Sequence, residues 1–197
     1  MKKQIGLYFG SFNPIHKGHL QVAEYIKEHG QFDEIWFVPS PLSPHKQNDT
    51  LIPAELRLKW VSDAVNQIAD MSVADDEFSL PKPSYTHKSV VYFYNKYPNY
   101  NFSLIMGADN LYGFHKWEKA DELAQICPLH VYARTGYPKL DPLPFNATWY
   151  DAPLIEISAT EIRDALENNQ PLTNWIPDQF LDELVSFFKS VESETHQ

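Results

Sequence analysis

Short apolar runs alternate along the chain with segments whose hydrophobic residues recur every three or four positions. Ile5-Gly6-Leu7-Tyr8-Phe9 is an apolar run closed by Gly10, the pattern of a strand buried on both faces. From Gly18 to His29 the period becomes helical through Leu20, Ala23, Ile26 and Lys27, and Gly30 supplies a stop. Glu34-Ile35-Trp36-Phe37-Val38 predicts a second strand, followed by a proline-rich loop from Pro39 to Pro53. Pro53 suits the first position of a helix running to about Ala69, with Leu56, Trp60, Val61, Ala64, Val65 and Ile68 as its buried stripe. Met71–Ala74 reads as a strand and Ser84–Tyr97 as a helix. Asn101–Met106 is a strand ending at Gly107. A helical stretch at Trp117–Ala124 precedes a strand at Leu129–Ala133. Pro153–Ile157 reads as extended, and Ser158 with Glu161 three residues on forms a capping box. The last helix is expected from about Pro177 to Val191, with a frayed polar end at Glu192–Gln197.

Strands alternating with helices predict a mainly parallel sheet covered on both faces. Ligands of such sheets bind beyond the C-terminal ends of the strands. The polar motifs of this chain stand in those places.

Composition narrows the picture. The chain has 197 residues, 43% of them hydrophobic, enough for a core without disulfides, and its one cysteine, Cys127, has no internal partner. A reducing, cytoplasmic compartment is expected. The net charge of −10 repels polyanions, so a nucleic-acid polymer is not an expected partner. Met1-Lys2-Lys3 and the apolar run after it superficially resemble a signal peptide. The run is short, has no small-residue cleavage site and passes into Asn13, Pro14, His16 and Lys17, so it is read as a strand. No segment approaches the roughly 20 apolar residues needed to span a bilayer, so no membrane association is expected.

The richest chemistry lies between the first strand and the first helix, in Gly10-Ser11-Phe12-Asn13-Pro14-Ile15-His16-Lys17-Gly18-His19. Gly10 and Gly18 permit close approach of the backbone to a ligand. A helix N-terminus offers unpaired N–H groups and partial positive charge to phosphate. His16 and His19, three apart, can share one side of the first turn, and near phosphate their charged forms are favoured. The loop lacks the Gly-Lys-Ser/Thr ending of a P-loop and the three-glycine dinucleotide pattern. A surface turn with two histidines, or part of a metal site, are the other readings; no third ligand stands nearby.

This loop resembles the H-x-G-H signature of the nucleotidyltransferase superfamily and, more narrowly, the opening of bacterial nicotinate mononucleotide adenylyltransferases. The family often has Asp at the place of Asn13; the exchange keeps an oxygen acceptor and loses a charge. Five further segments match in order between residue 4 and about residue 185. They are Pro44-His45-Lys46, Pro83-Ser84-Tyr85-Thr86, Gly107-Ala108-Asp109-Asn110, Arg134-Thr135-Gly136-Tyr137-Pro138 and Ile157-Ser158-Ala159-Thr160-Glu161-Ile162-Arg163. The chain departs from the family at His87-Lys88-Ser89-Val90, where a more aliphatic, Thr-containing stretch is usual.

The resemblance implies a Rossmann-like, doubly wound α/β fold in one domain, residues 1–197, with a small C-terminal helical part at about 158–191. It implies transfer of AMP from ATP to nicotinate mononucleotide, with Mg²⁺ carried by the ATP phosphates and no direct protein ligand. His16, His19 and Arg163 are then the catalytic residues. ATP is expected at Gly10, Ser11, Phe12, His16, His19, Gly107, Asp109, Ser158, Thr160 and Arg163. The mononucleotide is expected at Asn13, Lys46, Ser84, Tyr85, Thr86, Trp117 and Arg134, with Trp117 stacking on the pyridine ring. The attacking group is already an anionic phosphate, so neither a general base nor a protein nucleophile is required. Rival readings are a phosphopantetheine-type adenylyltransferase, a nicotinamide mononucleotide enzyme, or an ATP sensor without turnover. A homo-oligomer stays open.

Overall fold

The computed structural model describes residues 2–42, 52–153, 157–172 and 174–195. Six strands form one parallel sheet: β1 (Lys3–Gly10), β2 (Glu34–Pro39), β3 (Met71–Val73), β4 (Tyr100–Gly107), β5 (Leu129–Tyr132) and β6 (Thr148–Tyr150). Their order is β3-β2-β1-β4-β5-β6, and every neighbouring pair is parallel. This is the doubly wound order 3-2-1-4-5-6, which reverses direction between β1 and β4.

The helices are α1 (Lys17–His29), α2 (Ala54–Val65), α3 (Thr86–Lys96), α4 (Ala108–Gly113), α5 (Ala120–Ile126), α6 (Ala159–Glu167) and α7 (Leu181–Thr195). Two hydrophobic clusters, one on each face, hold them. Ala23 and Ile26 of α1, Trp60 and Val61 of α2, Ile162 of α6 and Leu184 of α7 share one cluster with Tyr8 and Ile105 of the sheet. Val90 and Phe93 of α3, Leu111 of α4 and Leu123 of α5 share the other with Leu7, Leu104 and Val131. Alternation along β1 sends Leu7 to one cluster and Tyr8 to the other, so a continuous apolar run serves both faces.

Several boundaries differ from the periodicity. Pro53 is the N-cap of α2 rather than its first residue, and the helix stops at Val65. Trp117 lies before α5, because Lys119 caps that helix in the left-handed region (φ 54°) and breaks the helical path. Here α4 continues into a 3₁₀ turn (Phe114–Lys116) that the pattern did not announce. The extended segment expected at Pro153–Ile157 falls partly outside the described residues, among which the last strand is Thr148–Tyr150. Helix α7 runs on to Thr195, so the end expected to fray is helical that far.

Candidate active site

The loop after β1 and the loop after β4 face one another where the strand order reverses. Gly10 is required there for packing. A Cβ on it would stand 2.9 Å from the ring of Phe12, which folds back over it with φ at 44°. That left-handed backbone is strained for an aromatic residue, and burial of the ring holds it. Phe12 packs edge-on against Tyr8 and His19. Its side chain therefore belongs to the core, and Gly10 makes room for that ring as well as for any ligand.

His16 caps α1 and is 4% exposed. Its ring stacks on that of His19, with centroids 3.7 Å apart and planes tilted by 32°. The His16 N–H donates to Nδ1 of His19 at 3.2 Å. A nitrogen that accepts an amide proton carries none of its own, so the His19 ring proton sits on Nε2. Burial, helped by the nearby Arg134 charge, pulls the His16 imidazole down to about 3. It is therefore a neutral ring in this state, not the cation expected beside a phosphate. Its Nδ1 is buried with no hydrogen-bond partner among the described residues.

The N–H groups of the first turn of α1 are partly spent. That of Lys17 donates to the Trp175 carbonyl and that of His19 to the His16 carbonyl, each at 2.9 Å.

Helix α6 begins at the same place. Its capping box is complete: Ser158 Oγ accepts from the Glu161 N–H at 3.1 Å, and the Ser158 N–H donates to the Glu161 carboxylate at 2.9 Å. This leaves Thr160 and Arg163 for other work, since a cap needs neither. The Arg163 guanidinium donates to the Asn13 carbonyl at 2.7 Å, to the Ala159 carbonyl at 3.0 Å and to Thr160 Oγ1 at 3.2 Å. It thus ties α6 to the loop after β1. Asn13 is buried, and its Oδ1 accepts from the Ile52 N–H at 2.9 Å. The oxygen kept by the Asp-to-Asn exchange is the atom in use, and it holds chain rather than facing solvent.

From the other side, Gly107 passes into α4, whose second residue is Asp109. The Arg134 Nε lies 3.5 Å from Asp109 Oδ1, which is buried. A Cβ on Gly107 would fall 2.3 Å from that oxygen and 3.2 Å from Arg134 Cγ and Nε. Glycine is what lets the carboxylate and guanidinium meet. Beneath them Tyr8 and Tyr132 share a hydrogen bond of 3.0 Å between β1 and β5, above the β4 position that Gly107 leaves without a side chain.

Apart from Gly107, which lines neither of its two cavities, the residues expected to meet ATP line one crevice. A cavity of about 450 Å³ is bounded by Gly10, Ser11, Phe12, Asn13, His16, His19, Asp109, Arg134, Ser158, Thr160 and Arg163. A second, of about 580 Å³, shares His16, His19, Asp109, Arg134 and Ser158 and extends past Gly18, Thr135, Tyr137 and Ile157. The volumes suit nucleotide-sized ligands. No cluster of three or more His, Cys, Asp and Glu suited to a metal occurs among the described residues.

Other expected site residues stand apart. Ser84, Tyr85, Thr86 and Trp117 line neither cavity. Tyr85 caps α3, Thr86 is its first residue, and Trp117 packs against Phe114 with ring centroids 5.2 Å apart. Pro44, His45 and Lys46 lie outside the described residues. Sequence reasoning missed Arg57 and Glu77, each 1% exposed. Arg57 carried a visible signal: it stands three and four residues before Trp60 and Val61, on the buried stripe of α2.

Comparison with known proteins agrees with this geometry. Residues 7–165 match the model of the Cytidylyltransferase-like family. The "Probable nicotinate-nucleotide adenylyltransferase" of Flavobacterium psychrophilum is 38% identical over 177 residues, covering 88% of this chain and 92% of the relative. The protein of that name from Christiangramia forsetii is 36% identical over 195 residues, covering 96% of this chain and all of the relative. Among solved structures, Plasmodium falciparum nicotinic acid mononucleotide adenylyltransferase complexed with NaAD superposes with a TM-score of 0.78 at 19% identity. It covers 94% of this chain and 96% of its own, and at that identity it speaks for the fold. The chain belongs to the Cytidylyltransferase-like family and, within it, to the nicotinate-nucleotide adenylyltransferases.

Proposed function

We propose that the chain transfers AMP from ATP to nicotinate mononucleotide, releasing pyrophosphate, and works as one nucleotidyltransferase unit over residues 1–197. The observation that carries the assignment of roles is the meeting of the paired imidazoles, the tip of α6 with Arg163, and the Asp109–Arg134 pair in one crevice.

The nucleophile is the 5′-phosphate of the mononucleotide, and the leaving group is pyrophosphate. Both are anions, so the protein's work is positioning and charge stabilisation. His19, with its proton on Nε2, donates to a phosphate oxygen. The orphaned Nδ1 of His16 finds its partner in the bound nucleotide or its water. A polyphosphate beside His16 favours the protonated ring, which burial disfavours when no anion is present. Arg163 supplies a fixed positive charge, oriented by its bonds to Asn13 and Ala159. Asp109 accepts from ribose hydroxyls or from the hydration shell of Mg²⁺. The Asp109 carboxylate, its Oδ1 held beside Arg134, would suit the hydration shell of such a hard cation. Mg²⁺, brought by ATP, supplies charge neutralisation of the phosphates.

The mononucleotide lies toward α3. Backbone N–H groups at Tyr85 and Thr86 receive the pyridine carboxylate, Trp117 stacks on its ring, and Lys46 with Arg134 meets its phosphate. Donors of this kind prefer a carboxylate to an amide, which favours nicotinate over nicotinamide mononucleotide. No helix among the described residues is long and apolar enough to cross a membrane, and buried, unpaired Cys127 suits a cytoplasmic enzyme.

The test is pyrophosphate release from ATP and Mg²⁺ with nicotinate mononucleotide, nicotinamide mononucleotide or phosphopantetheine as acceptor. Release with the first is expected. Release with phosphopantetheine alone, or ATP binding with no release, overturns the reading.

A further inference from the structure

Beside the crevice, at the same end of the sheet, lies a buried polar cluster that the chemistry above leaves unused. Ser40 directly follows β2, and each of its three polar groups goes to a different element. Its N–H donates to the Gly10 carbonyl at the end of β1 at 2.9 Å. The carbonyl accepts from Arg57 Nη1 of α2 at 2.9 Å, and the hydroxyl donates to Glu77 Oε2 at 2.7 Å.

Arg57 spends the rest of its guanidinium on backbone. Nε donates to the Ile52 carbonyl and Nη2 to the Pro41 carbonyl, both at 2.9 Å, and Nη1 also donates to the Ser11 carbonyl. Glu77 sits in a 3₁₀ turn (Asp76–Ser79), and its Oε1 accepts from the hydroxyl of Ser89, one turn into α3. A buried chain therefore runs from Ser11 through Arg57, Ser40 and Glu77 to Ser89. One end is the loop assigned to ATP. The other is the helix whose first residues are assigned to the pyridine.

A cation and an anion buried on opposite sides of one serine polarise it in the same sense, carbonyl toward Arg57 and hydroxyl toward Glu77. Burial pushes the Glu77 carboxyl above the usual range, and its serine donors act against that. Each charge loses solvation and depends on these bonds, so the junction resists deformation.

An in-line displacement needs its two phosphates held within fractions of an ångström. We infer that Ser40, Arg57 and Glu77 are positioning residues, a relay that sets the first turn of α3, and with it nicotinate mononucleotide, in register with the loop that holds ATP. This inference rests on the assignment of Tyr85 and Thr86 to the pyridine.

The relay is asymmetric, and the asymmetry makes it testable. The Glu77 end grips α3, whereas Arg57 also grips the ATP loop. Ser40→Ala and Ser89→Ala should each raise the KM for nicotinate mononucleotide about three- to tenfold, the net effect of one ordinary hydrogen bond acting at a distance from the ligand. The KM for ATP should stay within about twofold in both variants, on the same scale. Arg57→Lys, which loses the planar fork, should raise both KM values.

Thr86→Pro tests the underlying assignment. Proline is tolerated at the first helical position, and the extended backbone of Tyr85 (φ −100°, ψ 122°) suits a residue before proline. It removes one N–H and should raise the mononucleotide KM about tenfold or more. Melting temperatures of all variants separate unfolding from misplacement.

A silent Thr86→Pro overturns both the pyridine assignment and the relay. If Thr86→Pro raises the mononucleotide KM while the serine variants only melt earlier, or move both KM values together, the relay alone is overturned.

Discussion

Gly107→Ala tests the crevice at its tightest point. The glycine backbone, with φ −74° and ψ 157°, is one that alanine adopts freely, so no strain arises from the chain itself. Gly→Ala at such a site tends to stabilise by about 0.4–1 kcal/mol through the unfolded state. The added Cβ would stand 2.3 Å from Asp109 Oδ1, whereas a carbon–oxygen contact closes to about 3.3 Å. The carboxylate must therefore retreat by about 1 Å. Arg134, 3.2 Å from the same Cβ, must follow or lose its partner. A displacement of that size in a positioning group costs on the order of 10²-fold in rate, or about 2.7 kcal/mol of transition-state stabilisation. The assay is kcat/KM from pyrophosphate release, alongside a thermal melt and the companion Asp109→Ala. Gly107→Ala should lose activity comparably to Asp109→Ala while melting within a few degrees of the parent. A kcat/KM within about threefold of the parent would show that the pair does not help place the reacting groups.

His19→Ala should lower kcat by about 10²–10³-fold, the loss expected for one donor to developing phosphate charge, and near-normal turnover would remove it from the mechanism. His16 makes stability pH-dependent. Its folded value of about 3 lies below the unfolded 6.5, so the unfolded chain binds the proton first and acid favours unfolding between those limits. Urea melts of the ligand-free protein should lose about 2 kcal/mol from this residue between pH 7 and pH 5, and His16→Asn should flatten that difference. Asn13→Ala should cost about 1–3 kcal/mol in the same melts, since it orphans the buried Ile52 N–H, and an unchanged midpoint would deny that bond its weight.

Much of this was legible in the chain. Apolar runs fixed β1, β2, β4 and β5 to within two residues or so, because a strand buried on both faces needs a nearly uninterrupted hydrophobic stretch. The capping box at Ser158 and Glu161 formed as its spacing required, since that motif is satisfied locally. Tertiary context decided the rest. Lys119 adopts a left-handed φ that no local propensity favours, and so Trp117 left the helix its neighbours predicted. The His16 charge state without ligand depends on burial among distant residues, which hold the ring neutral until an anion arrives, and no local pattern carries that information.

The sequence by itself determined which residues are apolar and at what period, and that dictated a sheet wrapped on both sides with polar motifs at the strand ends. Only the three-dimensional structure decided that Arg163 reaches Asn13, that Gly107 must lack a side chain so that Asp109 and Arg134 can meet, and that Arg57 and Glu77 share Ser40. The physical reason is range. Periodicity and capping act within a turn or two, whereas desolvation and charge pairing depend on whichever segments the fold brings within a few ångströms.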